Sequence, residues 1–162
     1  MTDVIDQQGY RANVGIVLIN NRQELFFAKR KHQRGWQFPQ GGIRIGESLT
    51  SAMYRELLEE TGLTKDHVEV IYQSKEWYQY KIPKKFLKKL NNASPQVVGQ
   101  KQKWFLVKLN GSDELVDLTC DSKKNQEFDE WKWVNPAIPA KEVVWFKQDV
   151  YEKVLNEFLT FL

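Results

Sequence analysis

Cysteine is nearly absent from this sequence. Cys120 stands alone, which excludes an internal disulfide framework and any cysteine-built metal site. Histidine is almost as scarce, with two in 162 residues, so a bound metal must take oxygen ligands or those two imidazoles. The stretch from Met1 to Tyr10 is polar and acidic and lacks an apolar core of signal-peptide length, and no later stretch is apolar enough to span a bilayer. Internal repeats, low-complexity tracts and linkers long enough to divide domains are also missing. These absences lead us to expect a soluble cytoplasmic protein with no membrane partner, folded as a single domain over residues 1–162.

What the chain does have is enough apolar material for one core, at 41% hydrophobic and 13% aromatic residues. Its net charge of +3 is unevenly placed. Trp77 to Ser112 holds eight lysines and no acid, so a local +8 faces a remainder of −5. Lysines along one surface raise the local concentration of phosphates and attract a polyanion. A solvated lysine loop that serves only solubility is the competing reading of the same charges.

Val14 to Ile19 is a run rich in β-branched residues, broken by Asn20-Asn21 before a second apolar run begins at Leu25. Trp36 to Phe38, Val68 to Tyr72, Trp77 to Ile82, Lys103 to Leu109, Leu115 to Leu118 and Trp131 to Val134 read as further strands. Pro39-Gln40-Gly41-Gly42 is expected to leave the sheet as a tight loop. Ser48 to Thr61 contains no Gly or Pro, repeats Leu49, Met53 and Leu57 at four-residue spacing, and is followed by Gly62 where a left-handed cap would fall. This spacing predicts a helix. A second is predicted from Lys147 onward, with Val150, Val154, Phe158 and Leu162 on one stripe and Tyr151 and Leu155 beside it. The sum is an α+β domain, a mixed sheet covered by two helices.

On the first helix Glu56, Glu59 and Glu60 fall at i, i+3 and i+4, so the three carboxylates share one face. Like charges at that spacing cost the helix a few tenths of a kcal/mol per pair unless something offsets them. A divalent cation does so directly, and Mg²⁺ takes a few carboxylates plus substrate phosphates. Taken alone, three glutamates also fit a solvated helix face.

Their setting decides between the two. From Gly41 the chain reads five residues, Glu47, seven residues, then Arg55-Glu56-Leu57-Leu58-Glu59-Glu60-Thr61-Gly62-Leu63. This resembles the Nudix box, G-x5-E-x7-R-E-U-x-E-E-x-G-U, at every defined position. Average residue usage puts a chance match in a chain this long on the order of one in ten million. The resemblance implies the Nudix α/β/α sandwich and Mg²⁺-dependent hydrolysis of an acid anhydride, with Mn²⁺ able to substitute. It implies Glu56, Glu59 and Glu60 as metal ligands and catalytic groups, one of them handling the attacking water, and the Gly41 carbonyl as a further ligand. Glu47 and Arg55 become a supporting ion pair, and Gly62 the structural close of the helix.

Flanking segments narrow the resemblance. Gly9-Tyr10-Arg11, Trp36 to Gly42, Gly99 to Phe105, Glu127-Phe128-Asp129 and Val143 to Lys147 are together similar to the bacterial RNA pyrophosphohydrolases, a subfamily close to the dinucleoside polyphosphate hydrolases. That similarity implies removal of pyrophosphate from the 5′-triphosphate end of RNA, which initiates mRNA decay. It implies Glu127 as a further metal carboxylate, Arg11, Arg30, Gln100 and Lys147 on the phosphates and first nucleotides, and Phe146 in base stacking. Gly35 departs from the small polar residue often found there. Dinucleoside polyphosphates are the alternative substrates, and a non-catalytic nucleotide- or RNA-binding Nudix module is a third reading. DNA is not an expected partner, and the sequence identifies no protein partner.

Overall fold

The structure is a computed structural model and describes residues 3–87, 97–120 and 126–162. Eight strands form one sheet: β1 (Tyr10–Ile19), β2 (Leu25–Arg30), β3 (Trp36–Gln37), β4 (Gln40–Gly42), β5 (Val68–Gln73), β6 (Tyr78–Lys81), β7 (Gly99–Leu109) and β8 (Phe128–Val134). Its spine is β3-β2-β1-β7-β5, with β4 also on β1, β6 on β7 and β8 on β2. β1 and β7 pair in parallel from Tyr10↔Gly99 to Ile19↔Lys108, while every other pair is antiparallel, which makes the sheet mixed. The helices are α1 (Leu49–Thr61), α2 (Lys84–Leu87), α3 (Pro139–Glu142) and α4 (Gln148–Phe158).

A central parallel pair needs cover on both faces, and alternation along its strands supplies two apolar surfaces. Val14, Ile16 and Leu18 of β1, with Phe105 and Val107 of β7, pack under Ala52, Met53 and Leu57 of α1. The residues between them, Val17, Ile19, Trp104 and Leu106, pack with Val150, Tyr151, Val154 and Phe158 of α4. The result is an α/β/α sandwich in which the two main helices are those the apolar spacing predicts. Ser48 caps α1 by accepting from the Ser51 amide at 3.1 Å, and Gly62 closes it at φ 76°.

Two expectations are corrected. Leu115 to Leu118 is not a strand. Asp113–Leu115 forms a 3₁₀ turn, and Asp117 then accepts from the Thr119 amide at 2.9 Å, drawing the backbone into a local turn rather than a ladder. Its apolar residues still find burial, against the α1 side of the core. Gln40–Gly42 does not leave the sheet either, because it pairs with Asn13 to Gly15 as β4. Pro39 is tolerated beside β1 since its carbonyl accepts from the Ile16 amide at 2.9 Å, which asks no donor of the ring nitrogen. β1, β7 and β8 also begin earlier than the apolar runs indicate, at Tyr10, Gly99 and Phe128. Part of the lysine-rich connection, residues 88–96, lies outside the described residues.

The segment from Phe38 to Gly42 is fastened from the α4 side. The Phe38 amide donates to the Tyr151 hydroxyl at 2.9 Å and the two rings stack at 4.6 Å. On the same face Gly15 leaves room for the buried Trp104 indole, since a Cβ there would sit 2.5 Å from the ring. Trp104 is fully enclosed and has nowhere to move. Gly15→Ala is therefore expected to destabilise the fold by about 1–3 kcal/mol, the usual cost of overpacking. Chemical denaturation checks this, and an unchanged midpoint would contradict the packing described.

Candidate active site

The acidic face of α1 is held by one guanidinium. Arg55 donates to both oxygens of Glu47, from Nε and Nη2 at 2.8 Å each, in the bidentate geometry that suits Arg. Its Nη2 also reaches the Gly42 carbonyl at 2.7 Å, and its Nη1 reaches Glu56 at 2.7 Å and Glu59 at 3.4 Å. The Arg55 guanidinium pulls the Glu47 carboxyl down to about 2. Glu47 also accepts from the Arg44 amide at 3.0 Å, so the ion pair fastens the loop before α1 to the helix that follows. Glu47 and Arg55 form an ion pair, and Gly62 ends α1 in the left-handed conformation.

Glu60 is different. It is buried, and burial pushes its carboxyl well above the ordinary range, with Glu56 and Glu127 adding repulsion. Its carboxylate accepts from the Gln40 amide at 3.2 Å, and among the described residues no lysine or arginine forms an ion pair with it. Gly41 presses its backbone on Glu56 so closely that a Cβ would lie 1.9 Å from the carboxyl carbon. Only glycine leaves that backbone beside the acidic cluster. Hard oxygen donors, an excess of negative charge and a close-fitting glycine suit a divalent cation. Among the described residues, however, no three carboxylates converge on one point, because Glu56 leans on Arg55 while Glu60 faces β4. Glu127 is exposed and sits 3.7 Å from Arg30.

Beyond β4 opens a cavity of about 700 Å³. Gly41, Glu127, Arg11, Arg30, Gln100, Phe146 and Lys147 all line it, so all the expected substrate residues share one site. Lys147 is buried and donates to Gln37 at 2.9 Å and Gln40 at 3.4 Å. Burial pulls its ammonium down to about 7, with Arg30 adding repulsion, so an anion in the cavity would favour its charged form. The buried Nε of Arg11 makes no hydrogen bond among the described residues, and that of Arg30 has only the Glu127 carboxylate nearby, at 3.7 Å. Unanswered buried donors on cations are what an anionic ligand would satisfy.

Gln40 and Tyr80 are site residues the sequence reading does not single out. The Gln40 side chain donates to Gln100 at 3.3 Å and accepts from Gln102 at 3.3 Å, while the Tyr80 hydroxyl donates to Gln100 at 3.2 Å. Glutamines at alternate positions in the first half of β7, Gln100 and Gln102, were the available signal of a polar pocket wall.

The Nudix domain family profile matches residues 9–154, from the residue before β1 into α4. The chain belongs to the Nudix family. Among its relatives this Nudix protein is 48% identical over 159 residues to an RNA pyrophosphohydrolase of Mannheimia succiniciproducens, covering 98% of this chain and 79% of that one. With an RNA pyrophosphohydrolase of Pseudoalteromonas translucida it shares 49% over 158 residues, covering 98% and 90%. Solved Nudix-like folds superpose at lower identity. The E. coli dihydroneopterin triphosphate pyrophosphohydrolase gives a TM-score of 0.69 at 16% identity, covering 90% of this chain and 95% of that one. A C. elegans Ap4A hydrolase gives 0.64 at 21%, covering 93% and 99%. At such identities these two speak for the Nudix fold alone.

Because the folded-state pKa of Glu47 is depressed from 4.5 to about 2, its ion pair adds stability above the ordinary carboxylate range and loses it as pH falls through that interval. Glu47→Gln is therefore expected to lower the melting temperature near neutral pH. The gap to the unsubstituted protein should close as pH approaches 2, where Glu47 is itself protonated. A gap independent of pH, followed by thermal unfolding across an acid series, would contradict this role.

Proposed function

We propose that this Nudix protein is an RNA pyrophosphohydrolase that cleaves the 5′-triphosphate end of RNA to a 5′-monophosphate and so initiates mRNA decay. The observation that carries the reading is a cavity walled by Arg11, Arg30, Lys147 and the ring of Phe146 that reaches Gly41, whose backbone lies against the Glu56 carboxylate of the acidic helix face. Relatives at nearly half identity over almost the whole chain bear the name of that activity.

In this reading Glu56, Glu59, Glu60, the Gly41 carbonyl and Glu127 would hold Mg²⁺, with Mn²⁺ able to substitute. The cation, when bound, neutralises charge on the phosphates and eases deprotonation of the attacking water. Arg11, Arg30 and Lys147 grip the phosphates, a task for which their loosely paired or desolvated donors are suited. Gln100, held by Tyr80 and Gln40, presents its amide to the first nucleotides, and Phe146 offers a face to an unpaired base. A carboxylate of the α1 cluster accepts a proton from the water as it attacks phosphorus of the α–β anhydride; the bridging P–O bond breaks, the α-phosphate stays on the RNA, and the β and γ phosphates leave together as pyrophosphate.

We place the protein in the cytoplasm, where such RNA is found. A lone exposed Cys120 fits a reducing compartment, and among the described residues no helix is long and apolar enough to cross a membrane. Dinucleoside polyphosphates carry the same phosphate chain with a nucleoside at each end, and the same cavity would hold them as secondary substrates.

The test is hydrolysis by the purified protein of short 5′-triphosphorylated RNA beside diadenosine pentaphosphate, with Mg²⁺ and with chelator, read as kcat/KM. RNA should be preferred and the reaction should stop with chelator. Glu56→Gln should fold normally and lower kcat by roughly two to four orders of magnitude, the range for losing a group that acts in the transition state. A preference for the dinucleotide would transfer the function to that class, and a folded Glu56→Gln protein of near-normal activity would remove Glu56 from the chemistry.

A further inference from the structure

The pocket that would take the 5′ end of a substrate is bordered by aromatic residues, and one further ring beside them stands outside it. Phe146 lies at its rim with Tyr80 on one side, ring centres 5.9 Å apart, and Phe86 on another at 5.7 Å. Beyond them, and not among the residues lining the cavity, Trp145 stands edge-on to Phe146 at 5.5 Å with 67% of its surface exposed to solvent. A large indole left this open costs hydration free energy and gains nothing from the core. The turn Trp145–Lys147 that carries it also carries Phe146 and Lys147 into the pocket. One short backbone segment thus sends a cation to the phosphate end, a ring to the rim and a second ring outside it.

Charge at the same edge favours a polyanion. Lys84 and Lys85 of α2 are exposed there, and the Lys85 ammonium lies 5.0 Å from the centre of the Phe86 ring, which lines the cavity. Stacking rings beside lysines are the elements with which proteins hold single-stranded nucleic acid without reading its sequence, since every base has a π face and every linkage a charge. A cavity of about 700 Å³ is of small-ligand size, so a longer chain has to leave it, and this aromatic rim offers a path outward.

We propose that Trp145 is a stacking platform for a base downstream of the first nucleotides, so that the protein holds single-stranded RNA beyond the 5′ end it cleaves. The proposal rests on the RNA reading above and adds to it a preference for longer unpaired substrates. Stacking on Trp145 contributes to binding of RNA that reaches the ring and contributes nothing to a substrate that ends inside the pocket.

The experiment compares kcat/KM on a 5′-triphosphorylated dinucleotide and on a 5′-triphosphorylated unpaired octanucleotide, for the unsubstituted protein, Trp145→Ala and Trp145→Tyr. The unsubstituted protein should prefer the octanucleotide. Trp145→Ala should lose roughly tenfold on it, the factor that one base–aromatic stack supplies, and should keep its activity on the dinucleotide. Trp145→Tyr should restore most of the loss, because a second aromatic face is present. Equal activity of Trp145→Ala and the unsubstituted protein on both lengths would overturn the proposal and leave the exposed ring to a contact of another kind, such as a protein surface. An equal loss at both lengths would also overturn it, by showing that Trp145 only props Phe146. An unsubstituted protein inactive on both RNAs would overturn the RNA reading and the platform together, an outcome distinct from either of these.

Discussion

The Arg55 guanidinium is the interaction on which the rest of the site depends. Two buried glutamates on adjacent turns of α1 repel each other, and a third sits on the same face. Left alone in a poorly solvated setting, such a cluster would protonate or unwind the helix. Arg55 answers Glu56 and Glu59 from the same helix while its other edge clasps Glu47 and the Gly42 carbonyl. One side chain thereby joins the loop before the helix, the short strand β4 and the acidic face into a single unit. It does not reach Glu60, which among the described residues has the Gln40 amide and no cation, and whose carboxyl is displaced upward by burial and by its acidic neighbours. The compensation is therefore incomplete at the point where a cation would be most useful.

A second constraint places that unit against the cavity. The parallel pairing of β1 with β7 puts Arg11 opposite Gln100 and Asn13 opposite Gln102, polar residues in strands whose later halves are apolar. β4 adds Gln40 to the same wall, and Gln40 links the two strands to Lys147. The Phe38–Tyr151 contact carries the stability of the α4 face into β4, so the pocket wall is braced from the core beneath it. A rigid wall of matched amides and buried cations suits a ligand whose charges are fixed in a row, and a polyphosphate is such a ligand.

Much of this was legible in the sequence, for identifiable reasons. α1 declares itself because its apolar spacing, its Ser48 cap and its Gly62 stop all agree, and the Nudix box fixes the order of Gly41, Glu47, Arg55 and the glutamates along it. Arg11, Arg30, Gln100, Phe146 and Lys147 were named from resemblance, and the fold brings them to one cavity. What stayed hidden depends on long-range pairing. Gln40 and Tyr80 matter only through partners sixty and twenty residues away, and no local pattern encodes those contacts. Leu115 to Leu118 misled because burial, not strand pairing, accounts for its apolar residues. β4 was hidden by Pro39 and two glycines, which local chemistry assigns to a loop and the neighbouring strand recruits to the sheet. The arrangement of the carboxylates was likewise beyond the sequence, since spacing alone does not reveal that Glu56 turns toward Arg55 while Glu60 turns toward Gln40.

The central claim is that the acidic face of α1, with the Gly41 backbone against it, is a cation site facing a polyphosphate pocket. Anomalous diffraction from crystals grown with Mn²⁺ and a non-hydrolysable triphosphate analogue addresses it most directly. The account predicts an anomalous peak bounded by Glu56, Glu59 and Glu60 beside Gly41, with phosphate oxygens reaching it from the side of Arg11, Arg30 and Lys147. A peak elsewhere, or an acidic face still closed on Arg55 with the analogue bound and no metal beside it, would contradict it.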